Sequence, residues 1–207
     1  PGPATRLAFV GQLPQQTAGL ALAPSLNVVV QDAQGNTVPL GMTTTDGGLL
    51  VGAVSVTVSI LDNPAGGALT GTPTRNTLNG IAQFGDLKID RAGVGYRLRA
   101  QAAGLTAATS GTFDIVPGAA VKLGFTTPPA SVAGGANFAQ PLTVAVQDNQ
   151  GNTIAQANDA ITIAIGTNPA TGALSGTATQ NAVNGVAAFP NVTLDKAGAG
   201  YTLVATA

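Results

Sequence analysis

The chain has 207 residues, with 8 Lys or Arg against 9 acidic residues and a formal net charge of −1. Charged residues make up 8% of it, against about 25% in a typical soluble domain. Every acid is Asp, the only lysines are Lys88, Lys122 and Lys196, and there is no His, Cys or Trp. These absences exclude a Ser-His-Asp triad, a thiol nucleophile, a disulfide framework and a zinc site of the usual ligand set. A balanced charge gives no basic stripe for phosphate backbones, and aromatics at 4% leave few stacking platforms. Nucleic acid is therefore not an expected partner, and no cofactor is implied.

Gly (28) and Pro (13) together fall short of the low-complexity range of about 25–30%. Hydrophobic residues reach 44% and are periodically placed, so the chain is expected to fold. No apolar run approaches the roughly 18 residues of a membrane span. Pro1-Gly2-Pro3 begins without a signal-peptide pattern or an initiator Met, as in a chain that has been processed or cut from a longer one.

In chain order, the first elements already belong to a repeat. Arg6-Leu7-Ala8-Phe9 returns as Lys122-Leu123-Gly124-Phe125, and Val30 to Thr37 returns as Val146 to Thr153, both at an offset of 116. Beyond this the offset drops to 105: Asn63-Pro64-Ala65 matches Asn168-Pro169-Ala170, and Asn79-Gly80 matches Asn184-Gly185. Asp90 to Leu98 likewise matches Asp195 to Leu203. Copy one therefore carries 11 extra residues between Val38 and Val54, within a segment of about 39–52 that holds Thr43, Thr44, Thr45 and Asp46.

Apolar residues alternate at Leu26, Val28 and Val30, at Val56, Val58 and Ile60, at Ala82 and Phe84, and at Tyr96, Leu98 and Ala100. Copy two repeats this at Leu142, Val144 and Val146, at Ile161, Ile163 and Ile165, and at Tyr201, Leu203 and Ala205. A period of two marks strands, and Gly/Asn/Pro clusters separate them as turns. Seven short strands per copy predict an all-β chain of two tandem immunoglobulin-like Greek-key sandwiches. The predicted domains are 1–117 and 118–207. Tyr96 and Tyr201 are placed to tie the corner before the sixth strand, with Leu98 and Leu203 at the inward position that antibody domains give to Cys. Copy one continues through Thr112 to Val116 as a seventh strand, whereas Ala207 aligns with Ala102. Copy two is therefore expected to have no seventh strand within this sequence. Two explanations stand: the chain is a piece of a longer array, or a neighbouring chain donates the strand.

Asp32 and Asp148 are the most tempting metal ligands, but a loop with one Asp supplies too few of the 6–8 oxygens that calcium takes. The structural alternative has each carboxylate accepting turn N–H groups while Gly35 and Gly151 adopt positive φ. Asp90 and Asp195 read as turn caps in the same way. An intramolecular isopeptide bond at Lys122 is disfavoured, since copy one has Arg6 at the matching place. Asn191-Val192-Thr193 is a glycosylation triplet of the kind that arises by chance. A recognition loop, if there is one, is best placed at Thr43–Asp46, where a carbohydrate-binding adhesion module would carry it. A glycosidic acid–base pair is disfavoured, because the Asp residues recur at turns rather than facing each other across a cleft.

Taken together, Val-x-Val-x-Asp-x-x-Gly-Asn, Leu-x-Gly-Thr, Asn-Gly-x-Ala and Ala-Gly-x-Gly-Tyr-x-Leu-x-Ala, in this order in both copies, resemble bacterial immunoglobulin-like repeats of the invasin and intimin type. The resemblance implies an extracellular, cell-surface location and a non-catalytic role as stalk, adhesin segment or filament subunit. Its implied partners are neighbouring repeats or identical subunits, with a host or surface glycan under the alternative reading. The joint Val116-Pro117-Gly118 is short enough to favour a semi-rigid rod.

Overall fold

A computed structural model describes residues 1–40 and 52–207. Its contacts divide the chain into two units, Pro1–Val116 and Pro117–Ala207. Both are built of strands, and among the described residues no helix is long and apolar enough to cross a membrane.

The first unit contains β1 (Arg6–Val10), β2 (Gln16–Thr17), β3 (Leu26–Gln31), β4 (Ser55–Asp62), β5 (Leu69–Thr70), β6 (Thr74–Asn76), β7 (Ile81–Phe84), β8 (Lys88–Ile89), β9 (Gly93–Gln101), β10 (Ala108–Thr109) and β11 (Phe113–Val116). One sheet has the order β1-β3-β7 and the other β2-β11-β9-β4-β6, with β10 also on β9. Sequence neighbours are split between the sheets, so the chain crosses repeatedly over a shared core, as in an immunoglobulin-like Greek-key sandwich. Leu13-Pro14 stands between β1 and β2, where the opening strand leaves one sheet and joins the other. There β2 lies parallel to β11, pairing Gln16 with Ile115 and Thr17 with Val116. The sequence pattern did not anticipate this crossing.

The second unit contains β12 (Lys122–Thr127), β13 (Leu142–Gln147), β14 (Ala160–Ile165), β15 (Leu174–Ser175), β16 (Thr179–Asn181), β17 (Val186–Phe189), β18 (Thr193–Leu194) and β19 (Leu203–Thr206). Its register repeats the first: Leu7 opposite Val30 becomes Leu123 opposite Val146, and Ile60 opposite Leu98 becomes Ile165 opposite Leu203. Both Asn-Gly pairs adopt positive φ at both residues, 52° and 77° for Asn79-Gly80, and 51° and 78° for Asn184-Gly185. That combination closes a two-residue hairpin whose twist matches its strands.

The two cores use the same inward positions. Val28, Val30, Val56, Phe84, Leu87 and Leu98 are buried together in the first, and Leu142, Val144, Ile161, Ile163 and Phe189 in the second. One difference stands out. In the first unit β9 is flanked by β4 on one side and by β10 and β11 on the other. In the second, β19 pairs with β14 alone among the described residues. Regular strand there begins only at Leu203, although the counterpart of Gly93 is Gly198. Leu98 is 0% exposed, whereas Leu203 and Ala205 are only half-buried.

Truncating the two leucines therefore has unequal costs. Leu98→Ala is expected to destabilise its unit by about 2–5 kcal/mol, the range for a cavity in a closed core. Leu203→Ala, at a site already wetted, should cost clearly less. Urea unfolding of each variant measures the difference.

Candidate functional site

Three kinds of local structure carry the residues singled out by the sequence. The first is the turn after β3 and its repeat after β13. Asp32 accepts the N–H groups of Gln34 (3.0 Å) and Asn36 (2.9 Å), and the Asn36 side-chain amide at 3.0 Å. Asp148 accepts the N–H of Asn152 at 2.8 Å and its side-chain amide at 2.9 Å. Gly35 and Gly151 have φ of 89° and 85°, a region that only glycine enters without strain. Each carboxylate also receives a donor from outside its turn: the Gly2 N–H at 2.8 Å for Asp32, and the Gly118 N–H at 2.9 Å for Asp148. The chain entering each unit is thus tied to the turn at the far end of the paired strand. The turn motif alone does not foresee these outside donors. Their signal is nevertheless in the sequence, because Pro1-Gly2 and Pro117-Gly118 share the repeat's offset of 116.

Both carboxylates are buried, at 1% exposure, and charged oxygen in such a place must be hydrogen-bonded. The Gly2 N–H, then the Asn36 side chain and the turn amides, hold Asp32 well below the ordinary carboxylate range. At Asp148 burial pushes the carboxyl upward, but the Asn152 side chain and the Gly118 and turn amides outweigh it and lower it overall. A depressed carboxyl contributes its full stability above the unfolded value of about 4 and loses it as the pH falls toward the folded value. Thermal melts should therefore be flat from neutral pH down to about pH 5 and fall below about pH 4. In Asp32→Asn and Asp148→Asn the melting temperature is expected to be lower at pH 7 and its acid dependence reduced.

The second is the corner before β9. The Tyr96 hydroxyl donates to the Arg91 carbonyl oxygen at 2.9 Å, and its ring stacks on Phe113 with centroids 6.2 Å apart. Burial, then the charge of Asp90, raises the Tyr96 hydroxyl above its ordinary value. Asp90 and Asp195 reach out of their own turns to accept the N–H groups of Ala68 (2.7 Å) and Ala173 (2.6 Å). They pin a distant loop, which turn capping alone did not foresee. That loop is closed by Asn63, which exchanges bonds with both backbone groups of Gly67, and by Asn168, which does the same with Gly172. Tyr201 occupies the equivalent corner half-exposed, with its hydroxyl buried and without a hydrogen-bond partner. Tyr96→Phe is expected to cost about 0.5–1.5 kcal/mol by removing this hydrogen bond, and Tyr201→Phe almost nothing. Chemical denaturation of the two variants side by side tests this.

The third is a groove of about 350 Å³ in the second unit. One wall is the 129–134 segment, with Pro129 and Val132, and the other runs from Gly198 to Tyr201 and Leu203, over Phe138 and Leu194. By the repeat's offsets these walls are the counterparts of 13–18, which includes β2, and of Gly93–Leu98 in β9.

Thr43, Thr44, Thr45 and Asp46 lie outside the described residues. Among the described residues no group of three or more acidic side chains is placed to hold a metal ion. Instead, the carboxylates serve the fold. Asp86 binds Thr72, Asp62 pairs with Arg97 at 3.3 Å, and Asp114 accepts the Gly95 N–H at 2.9 Å.

No family model matches the chain, and no curated protein does. Among solved structures it is similar to the Escherichia coli adhesin FdeC (16% identity, 97% of this chain and 58% of that one, TM-score 0.39). It is also similar to InvD of Yersinia pseudotuberculosis (14% identity, 96% and 55%, TM-score 0.38). A β-glycosidase from Bacteroides vulgatus is nearly as similar (11% identity, 99% and 23%, TM-score 0.37). The chain thus spans little more than half the length of FdeC and InvD. With an adhesin and a glycosidase at nearly equal scores, these likenesses decide neither function nor partner.

Proposed function

We propose that the chain is a non-catalytic, tension-carrying segment of a bacterial surface protein, serving outside the cell as part of a stalk, adhesin or filament. Its partners would be neighbouring repeats of the same kind, joined end to end with strand addition as the mode of association. The observation that carries the reading is the parallel pairing of β2 with β11, which the Ala18 N–H extends by donating to the Val116 carbonyl oxygen at 2.9 Å. One of these strands lies near the start of the unit and the other at its end. Pulling the ends apart therefore drives two parallel neighbours in opposite directions and loads their hydrogen bonds together, in shear, rather than one at a time. The anchoring of Gly2 and Gly118 by buried carboxylates adds a fixed entry point to each repeat. The same geometry speaks against acid–base chemistry: Asp32, Asp62, Asp86, Asp90, Asp114, Asp148 and Asp195 are each bonded within the fold.

Stretching the full chain by its two ends tests the reading, since forced unfolding reports the barrier and not the equilibrium stability. Two unfolding events are expected, the first unit yielding at distinctly higher force than the second, which has no parallel strand pair among its described residues. Two events at the same low force would overturn a mechanical role for the pair.

A further inference from the structure

Asn-Gly occurs twice in the chain, as Asn79-Gly80 and Asn184-Gly185, at the same place in each copy of the repeat. The turn needs both residue types. Asparagine accepts φ values of 52° and 51° more readily than most L residues do. A Cβ on Gly80 would strike the Val38 carbonyl oxygen, and one on Gly185 that of Ile154. Both glycines are buried and held on either side. The Gly80 N–H donates to the Leu40 carbonyl oxygen at 2.8 Å, and the Gly80 carbonyl oxygen accepts the Val30 N–H at 2.9 Å. The Gly185 N–H donates to the Ala157 carbonyl oxygen at 3.2 Å, and its own carbonyl oxygen accepts the Val146 N–H at 2.9 Å. Asn79 and Asn184, by contrast, are exposed. An asparagine before glycine is also the one most open to attack on its side-chain amide by the following backbone nitrogen, because glycine puts no side chain in the way. The fold thus presents the electrophile to water and locks away the nucleophile.

We propose that Asn79 and Asn184 are sites of spontaneous deamidation that folding keeps closed and unfolding opens. The glycine nitrogen gives its proton to hydroxide and attacks Cγ of the asparagine. A C–N bond forms, the Cγ–Nδ2 bond breaks, and ammonia leaves with a proton from water, closing a succinimide. Water then opens the ring at either carbonyl, leaving aspartate or isoaspartate. In the folded chain the first step waits until the glycine N–H leaves its carbonyl acceptor, which takes a local opening of the hairpin. The two products differ in what they permit. Aspartate keeps the length of the loop and suits a two-residue turn of this kind. Isoaspartate routes the main chain through the former side chain and adds a methylene, so the glycine no longer meets both of its partners. Time spent unfolded is therefore recorded as a covalent change that bars return to the native turn. This goes beyond the proposed tension-carrying role and does not rest on it, since unfolding by any agent opens the sites.

The full chain is incubated at mildly alkaline pH, folded and in guanidinium chloride, and its peptides are mapped by mass, with isoaspartate scored by enzymatic methylation. Asn79 and Asn184 are expected to react faster in denaturant by on the order of tenfold or more, as an opening that breaks the glycine N–H bond requires. Asn36 and Asn152, each followed by threonine, are internal standards and should stay intact in both conditions. After dilution from denaturant, refolded molecules should carry asparagine or aspartate at these positions, and isoaspartate should collect in the molecules that fail to refold. A chain with Asn79→Gly and Asn184→Gly keeps the positive φ without a side-chain amide, and should refold fully after the same incubation. Equal rates in the folded chain and in denaturant, or intact Asn-Gly pairs in denaturant, would overturn the gating. Isoaspartate in refolded molecules, or loss of refolding by the glycine variant at the pace of the unmodified chain, would overturn the consequence drawn from it.

Discussion

Neighbours along both edges of a strand bury its inward side chains more completely than a neighbour along one, and among the described residues β9 has both while β19 pairs with β14 alone. Leu98 and Leu203 are the same residue at the same register, each opposite an isoleucine of the neighbouring strand. With β10 and β11 beside it, Leu98 is sealed, its strand extends back to Gly93, and Tyr96 is stacked and hydrogen-bonded. Among the described residues β19 has no neighbour on its other edge; Leu203 is half-buried, strand order begins five residues later than the repeat would place it, and the Tyr201 hydroxyl is without a hydrogen-bond partner. Apolar burial and backbone pairing are acting here as one cooperative unit, because the strand that covers the core also satisfies the edge.

The sparse charge of the chain acquires a meaning from the same geometry. With so few ionisable groups, most of the acids are placed to accept backbone N–H groups. A carboxylate is the side chain that can accept several such donors at once. Asp32 and Asp148 gather donors from a turn, from a side-chain amide and from the segment that enters the unit. Asp90 and Asp195 hold a loop that lies 22 residues earlier. These are the staples of a fold without cysteine. They replace covalent crosslinks with charge-assisted hydrogen bonds, so the sandwich should be more sensitive to acid than to reducing conditions.

Much of this was legible from the residues alone. A period of two at Val28–Val30 and Val56–Ile60, with Asn-Gly pairs between runs, can only be satisfied by half-buried strands with tight turns. Repetition of the whole series meant that whatever sandwich one half formed, the other would form as well. Tyr96 and Leu98 lie two positions apart in β9 and are both buried, because side chains two apart share one face of a strand. The bonds of Asp32 to Gln34 and Asn36 are local in the same sense, since side chain and backbone lie within four residues of each other.

Contacts that join distant segments were not legible in that way. Nothing local to Gly2 or Gly118 says that an aspartate 30 residues on will accept its N–H. Nor does the pattern around Gln16 say that it will leave the sheet of β1 and lie parallel to Ile115. Local periodicity records which face of a strand is apolar, and so the sequence determined the strands, the duplication and the inward residues. Which strand lies beside which, as in the parallel pairing of β2 with β11, depends on how both sheets close over the core. Only the tertiary structure decided that.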